Sequence, residues 1–478
     1  MAFAEYAEYD GLGLAALVAK GQVTAEELAE EAIARIDKYN PRLNAVIYKM
    51  YEQGRDTARQ LASQREGRFR GVPFLLKDIF GNYAGVPTGG GARFLKGLTV
   101  ERDDTLVARF KAAGLVPLGK TNVPEFGMLP TTESVLYGPA RNPWNLDHST
   151  GGSSGGSAAS VAAGIVPVAH ANDGGGSIRI PASCCGLVGL KPTRGRNPMG
   201  PMLGDVMSGL VCEHVVSRTV RDTAAMLDCT AGPEPGDPYS APTPERPFLD
   251  EIALPPGRLR IAFSSKNPNG VPLHPECVRA VERTAKLCQE LGHTVEEAAP
   301  PLNMSTITQS FLVVWCSGLA MQIDAVAMLH GREVREELFE GVTWGLYQQG
   351  RQVTGSQYLL AIAMLQIQGR QIGQFHETYD CWLTTTLGAP PIRLGTVDIE
   401  ERDPLKALEP ILDYVPFTPL QNATGQPAIS LPLHWTADGL PVGVMFSGSM
   451  GSEAMLLRLA AQLEQARPWI GRKPPLWG

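Results

Sequence analysis

Two serines, Ser153 and Ser177, each stand inside a dense glycine cluster: Gly151-Gly-Ser-Ser-Gly-Gly-Ser157 and Asp173-Gly-Gly-Gly-Ser-Ile-Arg-Ile-Pro-Ala182. A flexible Gly/Ser linker would carry no apolar runs, yet residues 161–163 and 165–169 are apolar, so the region from Ser149 to Gly195 is folded, with a helix and a strand between the two clusters. Glycine admits positive φ and close backbone approach, and glycines around a hydroxyl suit a tight turn that aims Oγ and several N–H groups at one point. An acyl-transfer nucleophile needs that arrangement. The oxyanion that develops on an attacked carbonyl gains about 3 kcal/mol from each pre-aimed donor, and the amides of Gly174, Gly175, Gly176 and Ser177 are the candidates.

Around these clusters the chain reads as alternating helices and strands. Thr24 with Glu27 forms a T-x-x-E start for an amphipathic helix through Ile33, Ile36 and Tyr39. Residues 71–80 contain a short apolar run of strand formers with Lys77 near its end. Residues 105–113 have helical spacing and 115–118 read as a strand, which implies βα units and a largely parallel or mixed sheet. The Pro-rich stretch 233–256 reads as an excursion or a boundary between lobes. Beyond it a strand at 259–263, a helix at 275–291, mainly helical residues 300–380, two strands within 426–444 and a final helix at 452–465 are expected.

Charge and composition exclude several classes. The net charge of −7 comes with no dense Lys/Arg run, which argues against a nucleic-acid partner. The acidic start lacks the basic flank of a secretory signal. The apolar tract 311–329 carries Gln322 and Asp324, costly at membrane depth, and is read as a buried helix. Eight cysteines without C-x-x-C spacing read as free core thiols, which fits a reducing cytoplasm and neither a metal site nor a disulfide framework. No metal or cofactor is expected, and no G-x-x-x-x-G-K-[ST] supports nucleotide binding.

The strand ending in Lys77, the two serine elements, Gly189-Leu-Lys-Pro-Thr193, Thr121-Asn-Val-Pro-Glu125, Asn142-Pro-Trp144 and Gly425-Gln-Pro-Ala-Ile-Ser-Leu-Pro432 together resemble the amidase signature family in order and spacing, over most of the chain. The resemblance implies one large α/β domain over 1–478, with a mixed, twisted central sheet flanked by helices. Within it 1–70 would be an N-terminal helical part, 71–232 the catalytic core, 233–420 a substrate-side helical excursion and 421–478 a return to the core. It implies that Ser177 is the acylated nucleophile, Ser153 a bridging serine after a cis peptide bond, and Lys77 the base. Lysine is a base only when burial lowers its pKa, and Leu75, Leu76, Ile79 and Phe80 supply that desolvation. Gly127, Met128 and Cys316 are assigned to substrate binding, although Cys316 and Trp315 also fit core packing. Asn172 and Gly174 depart from the family's usual Thr and bulkier residue, and the extra glycine is expected to loosen the oxyanion loop.

The implied substrate is a small linear, cyclic or aryl amide, as in the branch that hydrolyses nylon oligomers. Carbamate hydrolysis by the same triad, and ammonia release for a partner as an amidotransferase subunit, are the alternatives. A homodimer is compatible with the sequence. Gly151-Gly-Ser-Ser-Gly155 also fits the G-x-S-x-G nucleophile elbow, but no Asp–His pair accompanies it. His148 and His170 are read as structural, as is Lys191, and Asp173 and Arg179 as bracing the Ser177 loop.

Overall fold

Thr24 opens its helix as the spacing predicts. In this computed structural model, which describes residues 3, 5–64 and 66–477, the Thr24 hydroxyl accepts the Glu27 N–H at 3.1 Å and the Glu27 carboxylate accepts the Thr24 N–H at 2.8 Å. This capping box heads the helix Ala25–Leu43, whose Leu28, Ile33, Ile36 and Tyr39 are buried. Two orphan donors at the helix head are thereby satisfied.

Lys77 ends the strand Pro73–Lys77, all five residues of which are buried. That strand lies parallel to Val116–Thr121, which pairs antiparallel with Val46–Lys49 to make a three-stranded sheet. The main sheet is separate. Its eight strands run in the order Thr294–Glu297, Arg260–Phe263, Cys381–Thr385, Pro441–Gly448, Ala428–Trp435, Val188–Lys191, Cys212–Ser217 and Val168–Asp173. The first three pair in parallel and the rest antiparallel, so the sheet is mixed, as expected. The lysine and the two serines are therefore not supplied by a single sheet.

The Gly/Ser region folds as helix Gly155–Ala162, strand Val168–Asp173, helix Arg179–Cys185 and strand Val188–Lys191, and nearly every residue of it is buried.

The expected helical excursion over 233–420 needs correction. Its strands Arg260–Phe263, Thr294–Glu297 and Cys381–Thr385 complete one edge of the main sheet, and helix Pro275–Glu290 packs on that edge through Cys277, Val281 and Cys288. The helices Met304–His330, Gly341–Gln352 and Gly355–Thr378 share one core cluster with Ala262, Trp382, Ala428 and Met445 of the sheet. Met304–His330 is long and apolar enough to cross a membrane. Its burial is partial: Ile307, Val314, Leu319 and Ile323 are buried, whereas Met328 is 77% exposed and Leu329 71%. All eight cysteines are unpaired, and only Cys229 is not fully buried.

Candidate active site

The Gly152–Ser153 peptide bond is cis, as the resemblance implied. Ser153 Oγ lies 2.7 Å from Lys77 Nζ, in a setting where Lys77 is fully buried and Ser153 nearly so. Lys77 Nζ also donates to Asn172 Oδ1 at 2.5 Å and to the Asn172 carbonyl at 3.4 Å. The Asn172 amide is turned that way because its Nδ2 donates to the Ile79 carbonyl at 2.9 Å. Burial strips the ammonium of water and lowers the Lys77 pKa from 10.5 to about 7, against the opposing pull of the Glu213 and Asp173 charges.

Ser177 sits between strand Val168–Asp173 and helix Arg179–Cys185, on a loop held by Asp173. The Asp173 carboxylate accepts the N–H of Gly176 at 2.7 Å and of Ile178 at 3.1 Å. Arg179 grips both carboxylate oxygens at 2.9 Å and reaches the Thr418 carbonyl, Gln421 and Asn422. Burial alone would push the Asp173 carboxyl up, but the Arg179 guanidinium and the Asn422 amide outweigh it and hold the group at about 2. Bracing by Asp173 and Arg179 is what the residue types suggested. Of the four amides expected to face an oxyanion, that of Gly176 is spent on Asp173. Those of Gly174, Gly175 and Ser177 make no protein hydrogen bond among the described residues. Gly176 itself has φ +134, and a Cβ there would lie 2.3 Å from Thr418 Oγ1, so only glycine fits.

Ser177 opens into a cleft of about 110 Å³ with an overwhelmingly apolar wall. Gly127 and Met128 line it, and a Cβ on Gly127 would stand 3.2 Å from Ser153 Oγ. Opposite them are Ile307, Phe311, Trp315 and Leu420, and Asn269 and Thr308 are the polar side chains nearby. Cys316 is not in the wall. It is buried with Sγ 3.8 Å from Gln349 Oε1, because one residue along a helix rotates a side chain by about 100°, and Trp315 takes the cleft side instead. A side chain at Gly174 would meet Trp315, whose ring lies 3.0 Å from where its Cβ would be.

The histidines divide. His148 is half-buried in an isolated bridge to Arg393, and His434 is held by Glu276 at 2.7 Å. His170, fully buried, accepts the Lys77 backbone N–H at Nδ1 (3.2 Å) and sets Nε2 2.5 Å from Glu213 Oε2. Lys191 Nζ donates to the Pro192 carbonyl at 2.7 Å. Sequence reasoning missed the contacts of Asn172 and Glu213 with this network. The one sequence signal was the alternation of His170 and Asn172 ahead of Asp173, which places both on one strand face.

Comparison with known proteins identifies the family. A family model described as Amidase matches residues 27–457. The 6-aminohexanoate-cyclic-dimer hydrolase of Pseudomonas sp. (strain NK87) is 39% identical over 98% of this chain and 96% of its own. A solved structure of a 6-aminohexanoate cyclic dimer hydrolase complexed with substrate superposes with a TM-score of 0.93 at 38% identity, covering 99% of this chain and 100% of that one. A bacterial aryl acylamidase superposes with a TM-score of 0.86 at 28% identity, over 97% and 99%. The chain belongs to the amidase signature family.

Proposed function

We propose that the chain hydrolyses amides of uncharged, largely apolar acyl groups, with Ser177 as nucleophile, Ser153 as proton carrier and Lys77 as base. The observation that carries this reading is the fully buried Lys77 Nζ at 2.7 Å from Ser153 Oγ. A neutral amine has two hydrogens and one lone pair. The two Asn172 oxygens accept the hydrogens, which leaves the lone pair for the Ser153 hydroxyl. As Ser177 Oγ bonds to the carbonyl carbon, its proton passes to Ser153 and that of Ser153 to Lys77. The free amides of Gly174, Gly175 and Ser177 are the donors for the oxyanion. Return of the proton to the amide nitrogen lets the C–N bond break and the amine leave. Water then attacks the acyl-enzyme by the same route, releasing the acid.

The composition of the cleft wall supports this choice of substrate class. Among the described residues the wall contains no Asp, Glu, Lys or Arg, and an unpaired charge there would lose its hydration without compensation. Aryl amides and cyclic amide oligomers, which have no free termini, fit such a wall, and so does the cyclic dimer named for the relative. Purified protein should be tested without ATP or RNA on aliphatic amides, anilides, cyclic and linear amide oligomers, and carbamates. Cyclic and aryl amides should turn over at least tenfold faster than zwitterionic linear oligomers, about 1.4 kcal/mol of barrier. Turnover of carbamates alone would make the protein a urethanase. Inactivity on every amide without a partner subunit would favour the amidotransferase reading.

A further inference from the structure

Strand Val168–Asp173 holds Lys77 at two points from one face. His170 Nδ1 accepts its backbone N–H, and Asn172 Oδ1 accepts from its Nζ. Because Nδ1 is an acceptor, neutral His170 carries its proton on Nε2, which points at Glu213 Oε2 2.5 Å away. Glu213 lies on the antiparallel strand Cys212–Ser217, directly opposite Asn172. His170 and Lys77 are fully buried and Glu213 is 2% exposed. Accepting one imidazole N–H needs only a neutral oxygen. A carboxylate here adds a charge where water cannot screen it from the lysine.

We infer that Glu213, reaching Lys77 through His170, is a positioning residue that sets the protonation of Lys77 and hence the acidic limit of the reaction. The inference rests on Lys77 being the base.

Lys77 and Glu213 are the two ends that the His170 ring joins; beside them Asp104 also titrates, pushed up to about 6 by burial with the Glu213 charge adding to the rise. Burial, with the charges of Lys77 and Lys120 adding to it, keeps His170 neutral down to about 3, so the ring connects without titrating at working pH. Asp173 is held ionised by Arg179 and contributes a constant field. Lys120 donates to the Gly81 carbonyl and lies 3.8 Å from Asp78, while Asp104 accepts from Asn82. Burial raises the Glu213 carboxyl well above its ordinary value, and Lys77 opposes that rise. One proton shared between the two ends gives either ammonium facing carboxylate or amine facing carboxylic acid. Only the second form has a base. A Glu213 carboxylate thus competes with the active form and holds the acidic limb at a higher pH.

The test is kcat/KM against pH for wild type, Glu213→Gln and Lys77→Ala. Glutamine keeps an oxygen acceptor for His170 and removes the charge. The acidic limb should move to lower pH by about half a unit or more, a shift in which one full unit equals about 1.4 kcal/mol. An unmoved limb overturns the inference, and a lowered plateau with an unmoved limb marks a merely structural role. Should Glu213→Gln not fold, Glu213→Asp carries the test: its shorter side chain withdraws the charge, and the limb must shift in the same direction. Retained activity in Lys77→Ala would sink the base assignment itself, an outcome separate from either Glu213 result.

Discussion

Trp315 fills the place where residue 174 would carry a side chain. A Cβ on Gly174 would lie 3.0 Å from Cζ3 and 3.2 Å from Cη2 of the indole, and 3.2 Å from Val211 Cγ2. Trp315 in turn stacks on Phe311, with ring centroids 5.3 Å apart, and both rings form one side of the cleft beside Ser177. A glycine that departs from the family's usual residue is therefore matched by an aromatic pair from a helix about 140 residues later.

Gly174→Ala should overpack this contact. Overpacking costs about 1–3 kcal/mol, and displacement of the Trp315 wall should lower kcat/KM about tenfold. Trp315→Phe in the same chain relieves the contact, so the double variant should be more active than Gly174→Ala alone. Urea midpoints and kcat/KM for the four proteins of the cycle check this; strict additivity would separate the two residues energetically.

Ser177→Ala should abolish acylation, and a phosphonyl or sulfonyl reagent should label Ser177 in the wild type. Mass spectrometry of the labelled peptide decides the matter. Label on Ser153 would bring the nucleophile-elbow reading to the front.

Lys77→Arg should lose about 10²–10⁴-fold in kcat/KM, the usual contribution of a general base, because a guanidinium stays protonated and cannot accept the proton. Wild-type kcat/KM should rise with pH through about 7, where buried Lys77 loses its proton. Stability carries the same sign. Between about 7 and the ordinary 10.5 the unfolded chain binds a proton that the folded chain does not, so this contribution grows as pH rises through that window. Lys77→Met should flatten it in urea titrations. His148→Gln, at the bridge to Arg393, should cost less than about tenfold, or 1.4 kcal/mol.

Asp173→Asn should destabilise the protein by about 3–5 kcal/mol, because it leaves the Arg179 guanidinium buried without its partner. With the carboxyl at about 2 rather than its ordinary 3.8, the wild-type contribution is complete above that ordinary value and disappears as pH falls toward 2. Denaturation curves at pH 7 and pH 3 should therefore differ less in the variant. Its kcat should fall as well, since the Gly176 and Ile178 amides lose the anion that shapes the Ser177 loop.

The local features were legible in the sequence because their causes lie within a few residues. The Thr24–Glu27 capping box, the buried strand ending at Lys77 and the glycine turns around Ser153 and Ser177 follow from propensity, periodicity and φ alone. Everything that depends on which elements meet was decided by the tertiary structure. Lys77 comes from the small sheet and reaches Ser153 across 76 positions; residues 233–420 return to complete the edge of the main sheet. Trp315 faces the cleft and Cys316 does not, since a helix's rotation about its axis is set by what it packs against. His170 gained its meaning only when strand register placed Glu213 beside it. A contact between distant positions depends on sheet order and register, and those minimise the energy of the whole core, to which no short stretch of sequence holds the key.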